Sequence, residues 1–273
     1  MNEGRKTRVI PALLLQRGGL VKTRRFRAPA YVGDPINAVK IFNEKEVDEI
    51  ALLDITATEE GREPDYRALE EIAGEAFMPL AYGGGVKTVE QAARIFRAGA
   101  EKVILNTAAF EEAGLVRRLA DRFGSQSVLV SLDVGRDWLG RLRVFTRRGR
   151  GRTGLEPAEA ARRMENEGAG ELVVHSIERE GMGAGYDLPV IRAVADAVAV
   201  PVVALGGAGR VEDFGAAVRE GHASAVMAGS LFVFHGPHRA VLIQFPEAAV
   251  LDRILAARED NAVMSRGASH HAG

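Results

Sequence analysis

Tyr82-Gly83-Gly84-Gly85, Ala98-Gly99-Ala100 and Asn106-Thr107-Ala108-Ala109-Phe110 return further along the chain as Leu205-Gly206-Gly207, Glu220-Gly221-His222 and Ala228-Gly229-Ser230-Leu231-Phe232. The same offset sets Glu49 and Leu53-Asp54-Ile55 beside Glu171 and His175-Ser176-Ile177. With a small loop correction, Leu13-Leu14-Leu15 falls beside Leu132-Asp133-Val134. A period of nearly half the 273 residues implies two copies of one large unit, because solenoid repeats are shorter and more numerous. Working outward, short aliphatic runs alternate with segments of helical spacing. The strand candidates are Val9–Leu15, Ile50–Thr56, Pro79–Gly83, Val103–Thr107, Ser127–Val134, Leu172–Ile177, Pro201–Gly206 and Ala225–Gly229. Several are too apolar to have a solvated face, so they need cover on both sides, as in a parallel sheet. Between them, Val89–Ala98 places Ala92, Ala93 and Phe96 on one side, and Pro157–Glu167 opens on a proline suited to a first helical turn.

Eight such units in a chain close to the usual length of about 250 residues predict an α/β protein, a single (β/α)8 TIM barrel with a half-barrel internal repeat. Residues 1–263 are expected to form it and 264–273 a disordered tail. The composition, 47% hydrophobic and 27% charged, is that of a globular chain able to bury a large core. Thirty-six basic against 37 acidic residues give a net charge of −1, which argues against nucleic acid or an anionic membrane as partner. The absence of cysteine excludes disulfides, thiolate nucleophiles and cysteine-ligated metals, and suits the cytoplasm. No metal site and no cofactor are expected; His270 and His271 lack further ligands. The N-terminus reads as neither a signal peptide nor a membrane span.

The working face of such a barrel is the C-terminal end of its strands. Gly84-Gly85 with Asn106-Thr107 in one half, and Gly206-Gly207 with Gly229-Ser230 in the other, each suit a phosphate, because glycines let backbone N–H groups approach an anion. A tight turn is the plain alternative for any one glycine pair; the duplication favours phosphate. Two such pockets suit a ligand phosphorylated at both ends. Asp133 is the leading candidate for proton transfer, since a carboxylate in a barrel mouth is costly unless it is used. Asp54 and Glu180 are open between function and a structural role as cap or ion pair. At the opposite strand ends stand Arg8, Glu49, Lys102 and Glu171, alternating in sign. Charges on that face ordinarily serve stability.

From about Arg8 to Phe234 these motifs resemble the cyclase subunit of imidazole glycerol phosphate synthase. The likeness rests on Gly33-Asp34-Pro35, Asp48-Glu49, Leu53-Asp54-Ile55-Thr56-Ala57, Tyr82 to Gly85 and Asn106-Thr107-Ala108-Ala109. Phe123-Gly124-Ser125-Gln126, Gly168-Ala169-Gly170-Glu171, Gly185-Tyr186-Asp187 and Gly206-Gly207-Ala208-Gly209 extend it. The resemblance implies a glutaminase subunit on the N-terminal face and ammonia passing through the barrel to a phosphorylated small-molecule ligand. It further implies that Arg8, Glu49, Lys102 and Glu171 form the ionic gate of that passage. Asp133 matches the second of two catalytic aspartates, and Glu180 stands for a nearby aspartate. At the first catalytic aspartate the chain has Leu14, which neither gives nor takes a proton, and Leu15 to Gly19 contain no carboxylate. Leu205 also makes the mouth less polar than the family leads one to expect.

An ammonia route retained while part of the ring-closing chemistry is lost matches a paralogous group associated with acetamidino-sugar modification of surface polysaccharides. The segments from Arg8 to Leu15, Phe42 to Asp48 and Phe77 to Leu80 resemble that group. The expected function is therefore a barrel subunit that takes ammonia from a glutaminase for a separate sugar amidotransferase. A working cyclase of histidine biosynthesis, a lyase, is the alternative, and a phosphate-binding scaffold barrel without catalysis is the third.

Overall fold

A computed structural model describes residues 7–236 and 238–256 of the chain. Eight parallel strands close on themselves: β1 (Arg8–Gln16), β2 (Ile50–Asp54), β3 (Leu80–Gly83), β4 (Lys102–Leu105), β5 (Val128–Arg136), β6 (Glu171–Ser176), β7 (Val202–Leu205) and β8 (Ala225–Ala228). Closure runs through Arg8 against Ala225 on one side of β1 and Ala12 against Ala51 on the other, and β5 joins β6 with Asp133 opposite His175. Outside them lie α1 (Pro35–Glu44), α2 (Tyr66–Ala73), α3 (Val89–Arg97), α4 (Leu115–Phe123), α5 (Pro157–Asn166), α6 (Leu188–Ala195), α7 (Glu212–Arg219) and α8 (Ala248–Ala256). The protein is a (β/α)8 TIM barrel. Its expected tail, 264–273, with His270 and His271, lies outside the described residues.

Local chemistry sets the helices. Thr88 caps α3 by accepting from the Gln91 N–H while the Gln91 side chain reaches back to the cap, and Asp34 caps α1 ahead of Pro35. The face of α3 that packs inward is Ala92, Ala93 and Ile95; Phe96 sits at its margin, 4.6 Å from the Phe123 ring. Most of the core lies between strands and helices. A second, smaller layer fills the barrel itself: Ile10, Ala12, Ala51, Ala81, Ile104, Leu129, Val173, Val203, Leu205, Ala225 and Met227.

Two excursions lie beyond what the sequence patterning predicts. β1 and β5, the first strands of their halves, are nine residues long, and each returns as an antiparallel strand, Gly19–Arg24 and Leu142–Thr146. Leu14 then faces Val21, and Asp133 faces Phe145. Each return carries, at or next to its end, a buried threonine followed by two arginines, Thr23-Arg24-Arg25 and Thr146-Arg147-Arg148. The turns that follow are left-handed at Arg25, Phe26, Arg147 and Arg148. They meet where Arg148 Nη2 donates to the Phe26 carbonyl at 2.8 Å.

Candidate functional site

The C-terminal ends of the strands surround one cavity. Leu14, Leu53, Ile104, Val173, Leu205 and Met227 make an apolar floor, and Ser131, Asp133 and His175 stand on its polar side. Leu14 is 6% exposed, held by its neighbours on both strands. Asp54 is committed elsewhere: it receives Arg62 Nη2 at 2.9 and 2.7 Å and the N–H groups of Thr56 and Ala57 at 3.0 Å. That leaves it bracing its own loop, which favours the structural side of the two readings open for it.

Asp133 and Glu180 are joined by a residue that sequence reasoning passed over. His175 projects from β6 beside Asp133, with Nδ1 3.5 Å from Asp133 Oδ1, and Nε2–H donates to Glu180 Oε2 at 3.2 Å. Ser131 Oγ donates to the same Asp133 oxygen at 3.0 Å, and the Phe26 ring packs on the imidazole at 4.6 Å between centroids. Burial alone would lower the His175 pKa, but its hydrogen bonds and charge pairing with Asp133 and Glu180 outweigh it and raise the value to about 9. Burial likewise works to raise Glu180, yet His175 and Lys22 hold it below the ordinary carboxylate range. Lys22, 4% exposed, donates to the Ala12 carbonyl at 2.6 Å, and burial lowers its pKa to about 8 despite Glu180.

These two bases act oppositely on stability. His175 binds its proton more tightly when folded, so its contribution, about 3 kcal/mol from a value of about 9 against an ordinary 6.5, is complete below pH 6.5 and lost as pH rises through 9. Lys22 binds its proton less tightly when folded; its cost, of similar size, is complete below pH 8 and relieved towards 10.5. Urea midpoints of the unmodified chain should therefore pass through a trough between about pH 8 and pH 9. In His175→Gln the falling limb should vanish, leaving stability that only rises above pH 8. Parallel profiles for the two proteins would show that His175 is not held as an imidazolium.

The two sets of residues expected to hold phosphate are placed differently. Gly84, Gly85, Asn106 and Thr107 line the cavity. Their polar groups are engaged: Asn106 Nδ2 donates to the carbonyls of Ser131 and Phe145 at 3.0 and 3.3 Å, and Thr107 Oγ1 accepts from the Arg147 N–H at 3.0 Å. Gly206, Gly207, Gly229 and Ser230 do not face it. Lys22 covers Gly229, since a Cβ there would lie 2.2 Å from Lys22 Nζ. Ser230 Oγ beneath is buried without a partner among the described residues. The helices that follow Asn106 and Gly229, Thr107–Glu111 and Ser230–Val233, have five and four residues, too short to offer a long helix dipole. Gly84 and Gly207 are also required sterically. At φ +122° and +114° their Cβ positions lie 2.4 and 2.2 Å from the carbonyl oxygens of Asp54 and Gly185.

At the opposite end the four alternating charges meet in one ring. Arg8 reaches Glu49 through Nη1 and Glu171 through Nη2, and Lys102 Nζ lies 2.7 Å from Glu49 and 3.7 Å from Glu171. The carboxylates are nearly inaccessible, whereas Arg8 and Lys102 are about a quarter exposed. Burial would lower the Arg8 pKa, but Glu171 and Glu49 raise it. The ring closes the floor of the barrel directly under the apolar layer.

Lys22, Phe26, Ser131, Arg147, Arg148 and His175 are site residues that the sequence reading did not select. A signal for the arginines was present: Thr23-Arg24-Arg25 and Thr146-Arg147-Arg148 recur at an offset of about half the chain, as the glycine motifs do. Among the described residues no helix is long and apolar enough to cross a membrane. Compared with known proteins, residues 8–238 match the family model described as histidine biosynthesis protein. The chain is 51% identical to a Pseudomonas aeruginosa protein provisionally named imidazole glycerol phosphate synthase subunit hisF2, over 90% of this chain and 98% of that one. It is 47% identical to the protein provisionally named subunit hisF3 in Vibrio vulnificus, over 88% and 93%, and 46% identical to a Leptospira interrogans protein provisionally named subunit HisF, over 88% and 95%.

Proposed function

The chain belongs to the histidine biosynthesis protein family, and from that premise we propose that it is a barrel subunit that receives ammonia from a glutaminase and passes it on for amidination of a sugar. The observation that carries this reading is the contrast between the two ends. The ring of Arg8, Glu49, Lys102 and Glu171 is complete, whereas the mouth has Leu14 where the resemblance puts the first catalytic aspartate.

On this reading the glutaminase docks against the N-terminal face, and the ring is the gate. Opening needs Lys102 to swing away from Glu49, a partly exposed side chain leaving one of two acceptors while Arg8 keeps both carboxylates paired. Beyond the gate the path is hydrocarbon, from Ile10 and Ala51 up to Leu205 and Met227. An ammonium ion loses its hydration there, and that cost far exceeds that of moving neutral ammonia. Ammonia therefore travels uncharged and arrives at the mouth still nucleophilic, beside a floor where Leu14 offers no proton. A sugar amidotransferase would consume it there.

The test is to supply glutamine labelled with 15N at the amide, a glutaminase, this chain and the cognate sugar amidotransferase. Label in the sugar amidine, lost when this chain is omitted, is the expected result; an unlabelled sugar sinks the proposal. A second reading, ring closure to imidazole glycerol phosphate, draws on the Asp133–His175–Glu180 arrangement, because a buried imidazolium could supply the proton that Leu14 cannot.

A further inference from the structure

We propose that the two arginine turns at the rim of the mouth bind an anion with two adjacent phosphates, the diphosphate of a nucleotide-type ligand. Residues 23–27 and 146–152 hold seven arginines, Arg24, Arg25, Arg27, Arg147, Arg148, Arg150 and Arg152, in a chain whose net charge is −1. The turns belong to different halves of the barrel, yet the Arg148 bond to the Phe26 carbonyl brings them together over one opening. A single small anion can therefore touch both.

Their present counter-charges are few. Arg147 forks onto Glu111 at 2.9 and 2.7 Å, and Arg148 and Arg150 share Glu59, each at 3.1 Å. Among the described residues Arg24, Arg25, Arg27 and Arg152 form no salt bridge. Arg239 joins the group from the loop beyond β8: burial and the nearby Arg24 charge both lower its pKa. Like charges gathered in this way repel unless an anion neutralises them. Guanidinium forks match phosphate oxygens two at a time; the Arg150 pair to be displaced is single and mostly exposed on the arginine side, hence weak, whereas the forked Arg147–Glu111 pair is the stronger competitor. Glu59 and Glu111 hold the forks in place until a more highly charged anion replaces them. The rest of the ligand then extends into the cavity, over Thr107 and Leu14.

This site differs from the glycine loops, which lie at the strand ends and suit separated monophosphates. It also goes beyond the ammonia-conduit reading, since binding is measured on this chain without glutaminase or ammonia, and either claim can fail alone.

Isothermal titration with ADP, inorganic pyrophosphate and AMP tests it. Saturable binding of ADP and pyrophosphate is expected, weakening with added salt, with AMP about tenfold weaker. Equal affinities for ADP and pyrophosphate would mean that the diphosphate alone is read, and tighter ADP that the cavity also takes the nucleoside; both support the site. Replacing Arg24, Arg150 and Arg152 together by alanine should weaken ADP by about tenfold or more, while Glu59→Gln, which removes a competing carboxylate, should tighten it by about threefold. Tighter binding cannot come from a folding defect. Absence of saturable heat with both diphosphates in a folded protein, or affinities unchanged in both variants, would overturn the proposal.

Discussion

Leu14→Asp is expected to gain cyclase turnover. Supplied with the bisphosphorylated ribonucleotide of the histidine pathway and ammonium, the variant should exceed the unmodified chain by about 10²–10⁴-fold, the range that one positioned acid or base commands. The new carboxylate would enter a cavity whose polar side already holds Asp133, Ser131 and His175. Burial at this position raises an aspartate's pKa, so the gain should grow with pH as that group ionises. Formation of imidazole glycerol phosphate is the readout, with urea unfolding to show that the variant is folded. Full turnover by the unmodified chain would instead assign the missing proton to His175. A folded Leu14→Asp with no turnover would place the loss of ring closure in more than this one residue, Leu205 being the next to examine.

At the other end, Lys102→Met should separate two sources of nitrogen. With glutamine and a glutaminase, transfer into the sugar should fall by about tenfold, because a ring without the charge-assisted Lys102–Glu49 contact no longer closes behind the ammonia and lets it leak back. With ammonium supplied directly, transfer should persist. A common defect in folding would lower both. Arg8 still bonds both carboxylates in the variant, so the stability cost should be about 1–3 kcal/mol, short of the full cost of leaving a buried ion unpaired. Unchanged glutamine-dependent transfer would favour the scaffold reading.

How much of this was legible in the sequence depends on what kind of information each feature needs. All eight barrel strands lie where the aliphatic runs were read, because both faces of a buried parallel strand must be apolar and that leaves a continuous mark. Ends differ by one or two residues, as at Thr56 and Thr107, which follow the aliphatic run in sequence but lie outside the sheet. Gly19–Arg24 leaves no such mark, because its lysine, threonine and arginine are polar although Lys22 and Thr23 are buried. The inward direction of Arg8, Glu49, Lys102 and Glu171 depends on strand tilt and closure, which no local pattern carries. His175 was in view in the internal repeat, but a lone histidine acquires meaning only once β5 and β6 are paired and Asp133 lies next to it.

The hydrocarbon layer inside the barrel has an electrical consequence. It separates two ionic networks, Arg8–Glu49–Lys102–Glu171 below and Lys22–Glu180–His175–Asp133 above, with side chains that can neither hold nor relay a proton. The barrel is thus an insulator within one molecule, akin to the core of a lipid bilayer turned inward. Protons pass between the two networks only by way of the surrounding solvent, not through the aliphatic carbon of the barrel.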